Sequence, residues 1–298
     1  MTSHPRHAEP LPLGGDGLPY SKGLMARVLV AVGVAPERAH DLARRVQEDL
    51  DARGEEAAQL DRIEELSGDA VSMRRLRRYL ELRELDRPVI VLIGGGTGTG
   101  KSTVATELAY RLGITRVTST DFIRQTMRAF FSRDFMPSIH YSSFEAGSGL
   151  RAPTEAGDPT IAGFLEQSRN VLVGVRASLD RALEEGWSMV LEGVHLVPGL
   201  VELPAAADDA LIAQCVLEID DAERHALHFH VRDSSSDGLR PVDRYMNSFD
   251  NIRRIQRALV GRAERHEVAV VDATNVDRAV TETMELVLAA VERLEPAR

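Results

Sequence analysis

The chain has 298 residues and 43% hydrophobic residues, enough for one large α/β domain or for a catalytic domain with a small appendage. Its formal net charge of −10 argues against nucleic acid as a partner, because affinity for a phosphate backbone depends on Lys and Arg. The single cysteine, Cys215, excludes an internal disulfide, and no apolar stretch reaches the roughly 18 residues of a membrane span, so we expect a cytoplasmic protein without a membrane partner.

The first 87 residues predict a disordered lead-in and then a small helical domain. Residues 1–17 are polar and rich in Pro, Gly and His, which is typical of an unstructured segment rather than of a signal peptide. In residues 18–87 apolar side chains recur at spacings of three and four, with Gly33 ending one helix and Pro36 opening the next. A helical cap packed on the following domain would show the same pattern, so both organisations stay open.

From Pro88 onward, apolar strand-like runs alternate with helical patterns. This alternation predicts an α/β fold, with a parallel sheet of the P-loop NTPase type and helices on both faces, over residues 88–298. The predicted strands cover 88–93, 114–118, 188–191, 211–219 and 268–271, and the predicted helices cover 102–112, 121–131, 160–185, 249–265 and 278–294. Two long segments, 132–159 and 225–247, carry less strand or helix signal, and such loops are often lids or substrate clamps.

A phosphate-binding motif follows directly on the first predicted strand. Residues 95–102 fit the pattern G-x-x-x-x-G-K-[ST]. The glycines let backbone N–H groups turn inward around phosphates, Lys101 reaches the β- and γ-oxygens, and the hydroxyl of Ser102 is placed to bind Mg²⁺. The helix that follows turns its positive N-terminus toward the anion. The predicted nucleotide-binding residues are Gly95, Gly96, Thr97, Gly98, Thr99, Gly100, Lys101, Ser102 and Thr103.

Two acidic side chains lie at the ends of predicted strands, at the sheet edge where ligands of α/β proteins gather. Asp121 is expected to orient an acceptor hydroxyl or help hold Mg²⁺, with an ordinary helix N-cap as the alternative. Arg124 and Arg128, one turn apart, would present two guanidinium groups to one anionic acceptor. Glu192 ends the third strand as a Walker-B-like carboxylate for Mg²⁺. His195 either contacts the acceptor or is simply a polar residue at a strand end.

The segment after the fourth strand combines arginines with histidines. The arginines predict a lid that would close over the transferring phosphoryl group, stabilise its charge and exclude water, whereas an exposed basic loop is the alternative. The histidines match no common zinc spacing and no cysteine lies near them, so no metal site is expected there. The arginines predicted to act in the lid are Arg232, Arg240 and Arg244, and the histidines are His225, His228 and His230.

Residues 137–146, which we call the acceptor wall, are dense in hydrogen-bonding side chains. They are expected to bind the acceptor through His140, Ser142 and Ser143. Serine and histidine are also common in ordinary loops, so this expectation depends on the position of the segment rather than on its composition.

These motifs together resemble those of the 2-phosphoglycerate kinase family. The resemblance runs from about Leu18 to the C-terminus. It is carried by residues 94–102, 119–121, 123–124, 127–128, 139–140, 142–144, 191–195, 244–245 and 252–253. It implies transfer of the γ-phosphoryl group of ATP to the free hydroxyl of 2-phosphoglycerate, giving 2,3-bisphosphoglycerate, with Mg²⁺ as the metal. It also implies that residues 18–87 form an ATP-cone-like segment, although the usual basic strand is not evident.

The residues themselves leave the acceptor open. A phosphorylated carboxylic acid needs several fixed cations, and the arginines named above supply them. Another phosphorylated or acidic metabolite would be served by the same cations. A regulatory switch, in which the N-terminal helices transmit ATP occupancy to a partner, would carry the same phosphate-binding motif.

Overall fold

The structure, a computed structural model, describes residues 21–53, 60–151, 157–235 and 242–293. The chain divides into two units. The first contains the described residues up to Arg87, together with Arg111–Gly113 and the described residues from Met284, and the second contains Pro88–Tyr110 and Ile114–Thr283. The lead-in predicted for residues 1–17 lies outside the described residues, and the expected domain boundaries at 17/18 and 87/88 stay predictions.

Helices account for the described N-terminal part of the first unit. They are α1 (Lys22–Ala31), α2 (Pro36–Arg53), α3 (Leu60–Ser67) and α4 (Ala70–Glu84). Asp69 begins α4 as its N-cap, since its carboxylate accepts hydrogen bonds from the backbone N–H groups of Val71 and Ser72. Gly33 follows α1 with a φ of 96°, in the left-handed region that ends helices. The predicted helical region is therefore confirmed, while its relation to an ATP-cone stays a prediction.

Within the described residues, parallel strands form one sheet in the order β2-β3-β1-β4-β5. They are β1 (Val89–Gly95), β2 (Val117–Ser119), β3 (Met189–Glu192), β4 (Leu211–Glu218) and β5 (Ala269–Asp272). The parallel sheet confirms the predicted α/β fold, and each observed strand overlaps a predicted one. The carboxyl ends of β1, β2 and β3 lie side by side at one edge, because Ile93 pairs with Glu192, and Ser119 pairs with Glu192 from the other side.

The remaining helices lie between the strands along the chain, except the last, which follows β5. They are α5 (Lys101–Leu112), α6 (Thr120–Phe130), α7 (Pro159–Glu184), α8 (Ala222–Ser235), α9 (Val242–Met246), α10 (Phe249–Arg265) and α11 (Val276–Glu292), with short 3₁₀ helices at Pro137–His140, Ser143–Gly149 and Ala205–Asp209. None of the described helices combines the length and the apolar character that crossing a membrane requires.

The low helix signal of residues 225–247 was misleading, because α8 and α9 occupy most of this segment. Local propensity is modest there, since histidines and aspartates are indifferent helix formers. The helix α8 is stabilised by packing instead: Phe229 and His225 are both buried, and their rings stack with centroids 5.5 Å apart. Tertiary contacts thus decide the structure of this segment.

Both faces of the sheet are covered by helices. On one face, Ile90 and Leu92 of β1 pack in a buried cluster with Ile123 of α6 and residues of α7. The opposite face holds the buried Cys215 of β4, whose thiol is hydrogen-bonded to Thr283 of α11. Burial raises the pKa of this thiol to about 12, so Cys215 is a structural residue rather than a nucleophile.

Candidate active site

A cavity of about 500 Å³ opens at the carboxyl edge of the sheet. Ser102 of α5, Asp121 of α6 and Glu192 of β3 meet in its wall. Its remaining lining residues are Thr97, Ser119, Phe122, Arg124, Gln125, Arg128, His140, Tyr141, Ser142, Ser143, Phe144, Arg244 and Tyr245. The structure therefore brings the phosphate-binding motif, the acceptor wall and most of the predicted arginines to one place.

The phosphate loop, residues 95–102, adopts the tight conformation that its glycines permit. Gly95, Gly98 and Gly100 have φ angles of 144°, 90° and 78°, values that L side chains rarely adopt. The loop is closed on itself, because the side chains of Thr99 and Lys101 both donate hydrogen bonds to the carbonyl of Gly96, at 2.9 and 2.6 Å. Burial lowers the pKa of the Lys101 ammonium, although the carboxylates of Glu192 and Asp121 oppose this effect.

The metal candidates Ser102 and Glu192 are in direct contact. The hydroxyl of Ser102 donates a hydrogen bond to the Glu192 carboxylate, at 2.9 Å. Glu192 is buried at the end of β3, and desolvation raises the pKa of its carboxyl against the opposing effect of Lys101. A hydroxyl and a desolvated carboxylate are hard oxygen donors, so this pair fits a hard divalent cation such as Mg²⁺.

Asp121 lies in the first turn of α6, and it is not the N-cap that the alternative interpretation proposed. The N-cap is Ser119, whose hydroxyl accepts a hydrogen bond from the N–H of Phe122 at 3.0 Å. The Asp121 carboxylate is mostly exposed toward the cavity and pairs with Arg124 at 3.2 Å. Although desolvation raises the pKa of Asp121, the neighbouring His195 and Arg124 outweigh it, so the pKa lies below its ordinary value.

Arg124 is buried and supports the acceptor wall. Its guanidinium donates hydrogen bonds to the carbonyls of Ile139 and Tyr141, at 2.9 and 3.0 Å. Arg124 was expected to bind the acceptor, and it does line the cavity. Its Nη1 and Nε groups are bonded within the protein and fix the wall beside Asp121. Arg128 of α6 is exposed at the same cavity, where it donates to the side-chain oxygen of Gln125 at 2.9 Å.

His195 is not among the residues that line the cavity, which favours the alternative that it is a polar residue at a strand end. It is fully buried, with Nδ1 2.8 Å from the Thr120 hydroxyl and Nε2 3.0 Å from Oε1 of Gln167. The amide nitrogen of Gln167 donates to the carbonyls of Ser138 and Tyr141, so Oε1 must accept and Nε2 of His195 carries the proton. His195 is thus a neutral link between α6 and the acceptor wall.

Gln167, which supports the acceptor wall from α7, is a residue that the sequence analysis missed. It is fully buried on α7, on the same helix face as Phe164 and Val171. A polar residue at a buried position of an amphipathic helix was the available signal, because such a side chain must find partners inside the protein.

The buried His195 predicts a pH dependence of stability. Burial lowers its pKa from 6.5 to about 4, so the unfolded chain binds this proton at a pH where the folded chain does not. We therefore expect the free energy of unfolding to fall as the pH is lowered from 6.5 toward 4. In His195→Gln, which cannot take up the proton, urea unfolding at several pH values should give a smaller fall. Part of the fall should remain in this variant, because the pKa of His225 is also about 4. If the pH dependence of stability were unchanged in His195→Gln, His195 would not be its source.

Of the predicted lid arginines, the structure places Arg244 at the cavity. Its guanidinium donates to the Ser142 hydroxyl at 2.9 Å and to the Glu145 carboxylate at 2.7 Å. The ion pair with Glu145 raises the pKa of Arg244, which stays charged. Arg240 and the side chain of Arg232 lie outside the described residues.

The sequence is similar to known 2-phosphoglycerate kinases over most of its length. The chain is 36% identical over 272 residues to a 2-phosphoglycerate kinase of Methanopyrus kandleri, covering 88% of this chain and 82% of that protein. It is 37% identical over 271 residues to a 2-phosphoglycerate kinase of Thermococcus kodakarensis, with 89% and 91% covered. No protein-family model matches. Among solved structures, a gluconokinase from Sinorhizobium meliloti 1021 is 15% identical with a TM-score of 0.40, covering 69% of this chain and 93% of that one.

Proposed function

Because the chain belongs to the 2-phosphoglycerate kinase family, we propose that it transfers the γ-phosphoryl group of ATP to the free hydroxyl of 2-phosphoglycerate, giving 2,3-bisphosphoglycerate. One observation supports direct transfer above the others: the phosphate loop and the acceptor wall open into the same cavity. Donor and acceptor held together in one site gain most of the proximity effect on which phosphoryl transfer depends.

The donor half of the site consists of the phosphate loop and Lys101. Backbone N–H groups of the loop bind the phosphates of ATP, and the ammonium of Lys101, now hydrogen-bonded to the carbonyl of Gly96, moves to the β- and γ-oxygens. Mg²⁺ would be held by Ser102 and Glu192, and it would neutralise charge that develops between the β- and γ-phosphates.

The acceptor half consists of Asp121 and the wall that faces it. The lowered pKa of Asp121 keeps its carboxylate ionised at neutral pH, so it accepts a hydrogen bond from the acceptor hydroxyl and orients that oxygen for attack. Arg128 supplies an exposed cation for the carboxylate and phosphate of the acceptor. The side chains of His140, Ser142 and Ser143 provide further hydrogen bonds from the same wall.

Three arginines are candidates for a lid that would close over the transferring group. Arg244 already reaches the wall, and Arg232 and Arg240 precede Arg244 in the sequence. Cations delivered to the transferring group stabilise the charge on its oxygens, so we keep all three as lid candidates.

A coupled assay of ADP release tests this function. We expect 2-phosphoglycerate to accelerate ADP release strongly, with 3-phosphoglycerate, glycerate and gluconate as comparison acceptors. Robust turnover on another acceptor, with none on 2-phosphoglycerate, would replace the substrate. Tight binding of ATP without any acceptor-dependent release of ADP would instead favour the regulatory switch.

Arg124→Ala is expected to raise the KM for 2-phosphoglycerate by about tenfold or more and to change the KM for ATP little. The substitution removes the hydrogen bonds to the carbonyls of Ile139 and Tyr141, and the acceptor wall then loses its fixed position. Steady-state kinetics with each substrate varied in turn measure the two effects.

A matched control is Arg151→Ala. Arg151 also donates to two backbone carbonyls, those of Asp134 and Phe135 at 2.7 Å each, but it does not line the cavity. Both KM values should stay near those of the wild-type enzyme. If Arg124→Ala altered only the KM for ATP, Arg124 would not support the acceptor wall.

A further inference from the structure

The helix α8 packs against the outer side of the phosphate loop through two histidines. Nε2 of His225 lies 2.8 Å from the carbonyl oxygen of Thr97, and Nδ1 of His228 lies 3.2 Å from the carbonyl oxygen of Gly98. Phe229 fills the space beside Gly98, where an added Cβ would lie only 2.4 Å from the ring. Successive peptide groups of the loop are therefore held by successive turns of one helix.

The hydrogen-bond partners fix the proton positions on His225. The carbonyl of Thr97 can only accept, so Nε2 of His225 carries a proton. On the other side of the ring, Nη1 of Arg253 lies 3.4 Å from Nδ1, and a guanidinium can only donate. Arg253 is itself held by the carbonyls of Ile219 and Asp220, at 2.5 Å each. His225 is therefore a neutral donor with one defined tautomer.

The surroundings of His225 keep it neutral. Its ring is buried, and the rings of Phe229 and Phe249 lie 5.5 Å from it. Burial lowers the pKa of His225 to about 4, and the charges of Arg253, His228 and Lys101 act in the same direction, while the bond to Thr97 opposes them. At neutral pH the ring thus supplies a constant hydrogen bond to the loop.

We propose that His225 and His228 are positioning residues that turn the N–H groups of the phosphate loop toward the phosphates of ATP. A trans peptide is planar, with its N–H and C=O pointing in opposite directions. Holding the carbonyl of Thr97 against α8 therefore directs the N–H of Gly98 away from α8. Holding the carbonyl of Gly98 likewise directs the N–H of Thr99 away from α8, where it now donates to the carbonyl of Gly96 at 3.4 Å. This role rests on the ATP site of the proposed function and is independent of the acceptor.

Calorimetric titration with ADP and Mg²⁺, in the absence of acceptor, tests this role. In His225→Ala the Kd for ADP should rise about tenfold, as expected for one lost buried hydrogen bond. His225→Gln places an amide donor near the position of Nε2 and should restore most of the affinity. In steady-state kinetics, the KM for 2-phosphoglycerate should stay unchanged in both variants. Leu227→Ala, at an exposed position of the same helix, is the matched control and should bind ADP like the wild-type protein.

The outcomes separate this inference from the proposed function. If the wild-type protein bound no ADP, the proposed ATP site itself would be wrong. Wild-type affinity in a folded His225→Ala variant would overturn the positioning role and leave the kinase function standing. If His225→Ala does not fold, His228→Ala decides, because His228 is less buried: a raised Kd that His228→Asn restores supports the role, and an unchanged Kd overturns it.

Discussion

Lys101→Ala is expected to abolish phosphoryl transfer, lowering kcat by about a thousandfold or more. The phosphate loop holds this ammonium within reach of the phosphates: it is buried, and it rests on the carbonyl of Gly96 at 2.6 Å. No other lysine or arginine belongs to the loop, so alanine leaves its backbone N–H groups without a side-chain cation. ADP release at saturating 2-phosphoglycerate measures the loss.

The same substitution should leave the fold intact. Burying the charge of Lys101 costs free energy of folding, as its lowered pKa indicates. Alanine removes this cost together with the hydrogen bond to the carbonyl of Gly96. The carbonyl of Gly96 is not left unsatisfied, because it still accepts from the Thr99 hydroxyl at 2.9 Å. The Tm of Lys101→Ala should therefore lie within a few degrees of the wild-type value.

The sequence offers an unusual control, since Lys22 and Lys101 are its only lysines. Lys22 is exposed at the start of α1, and Lys22→Ala should retain full activity. In that variant Lys101 carries the only lysine ε-amine, so an amine-directed label read out by peptide mass becomes a probe of the ATP site. ATP with Mg²⁺ should protect Lys101 from the label. Labelling that ATP does not slow, or an active Lys101→Ala variant, would contradict the assignment of the donor site.

Features that depend on local periodicity could be predicted from the sequence. The phosphate loop was identifiable because strand, glycine-rich turn and helix follow one another without a break, from Val89 to Leu112. The carboxylates Asp121 and Glu192 were identifiable because each comes directly at the end of a strand, and parallel strands bring their carboxyl ends to one edge. Their meeting with Ser102 at the cavity follows from that topology.

Features that depend on backbone partners could not be predicted. Arg124 and Gln167 both bind the carbonyl of Tyr141, and His225 binds the carbonyl of Thr97. Every residue has a backbone carbonyl, so the sequence does not indicate which carbonyl a side chain will bind. For the same reason the histidines of α8 matched no motif, and their helix was mistaken for a loop. The position of His195 after β3 could be predicted, but its complete burial could not, because burial is a property of the packed structure.

Glu192→Gln is expected to lower kcat by about a hundredfold and to raise the Mg²⁺ concentration needed for half-maximal activity. The glutamine keeps the shape of Glu192 and can still accept the hydrogen bond from Ser102, which is 2.9 Å long in the wild-type protein. It loses the negative charge, which is the property that a hard divalent cation requires of this residue. Titration of ADP release with Mg²⁺ at fixed ATP measures both changes.

The stability of Glu192→Gln should not fall along with its activity, and this result would separate a metal-binding role of Glu192 from a structural one. Desolvation raises the pKa of Glu192, so its ionisation at neutral pH works against the folded state, and the neutral amide removes that cost. We therefore expect an unchanged or higher Tm without Mg²⁺. Glu218→Gln is the matched control, because Glu218 also ends a strand and desolvation also raises its pKa, but it does not line the cavity. A wild-type Mg²⁺ dependence in Glu192→Gln would exclude Glu192 from the metal site, since charge is the property that the substitution removes.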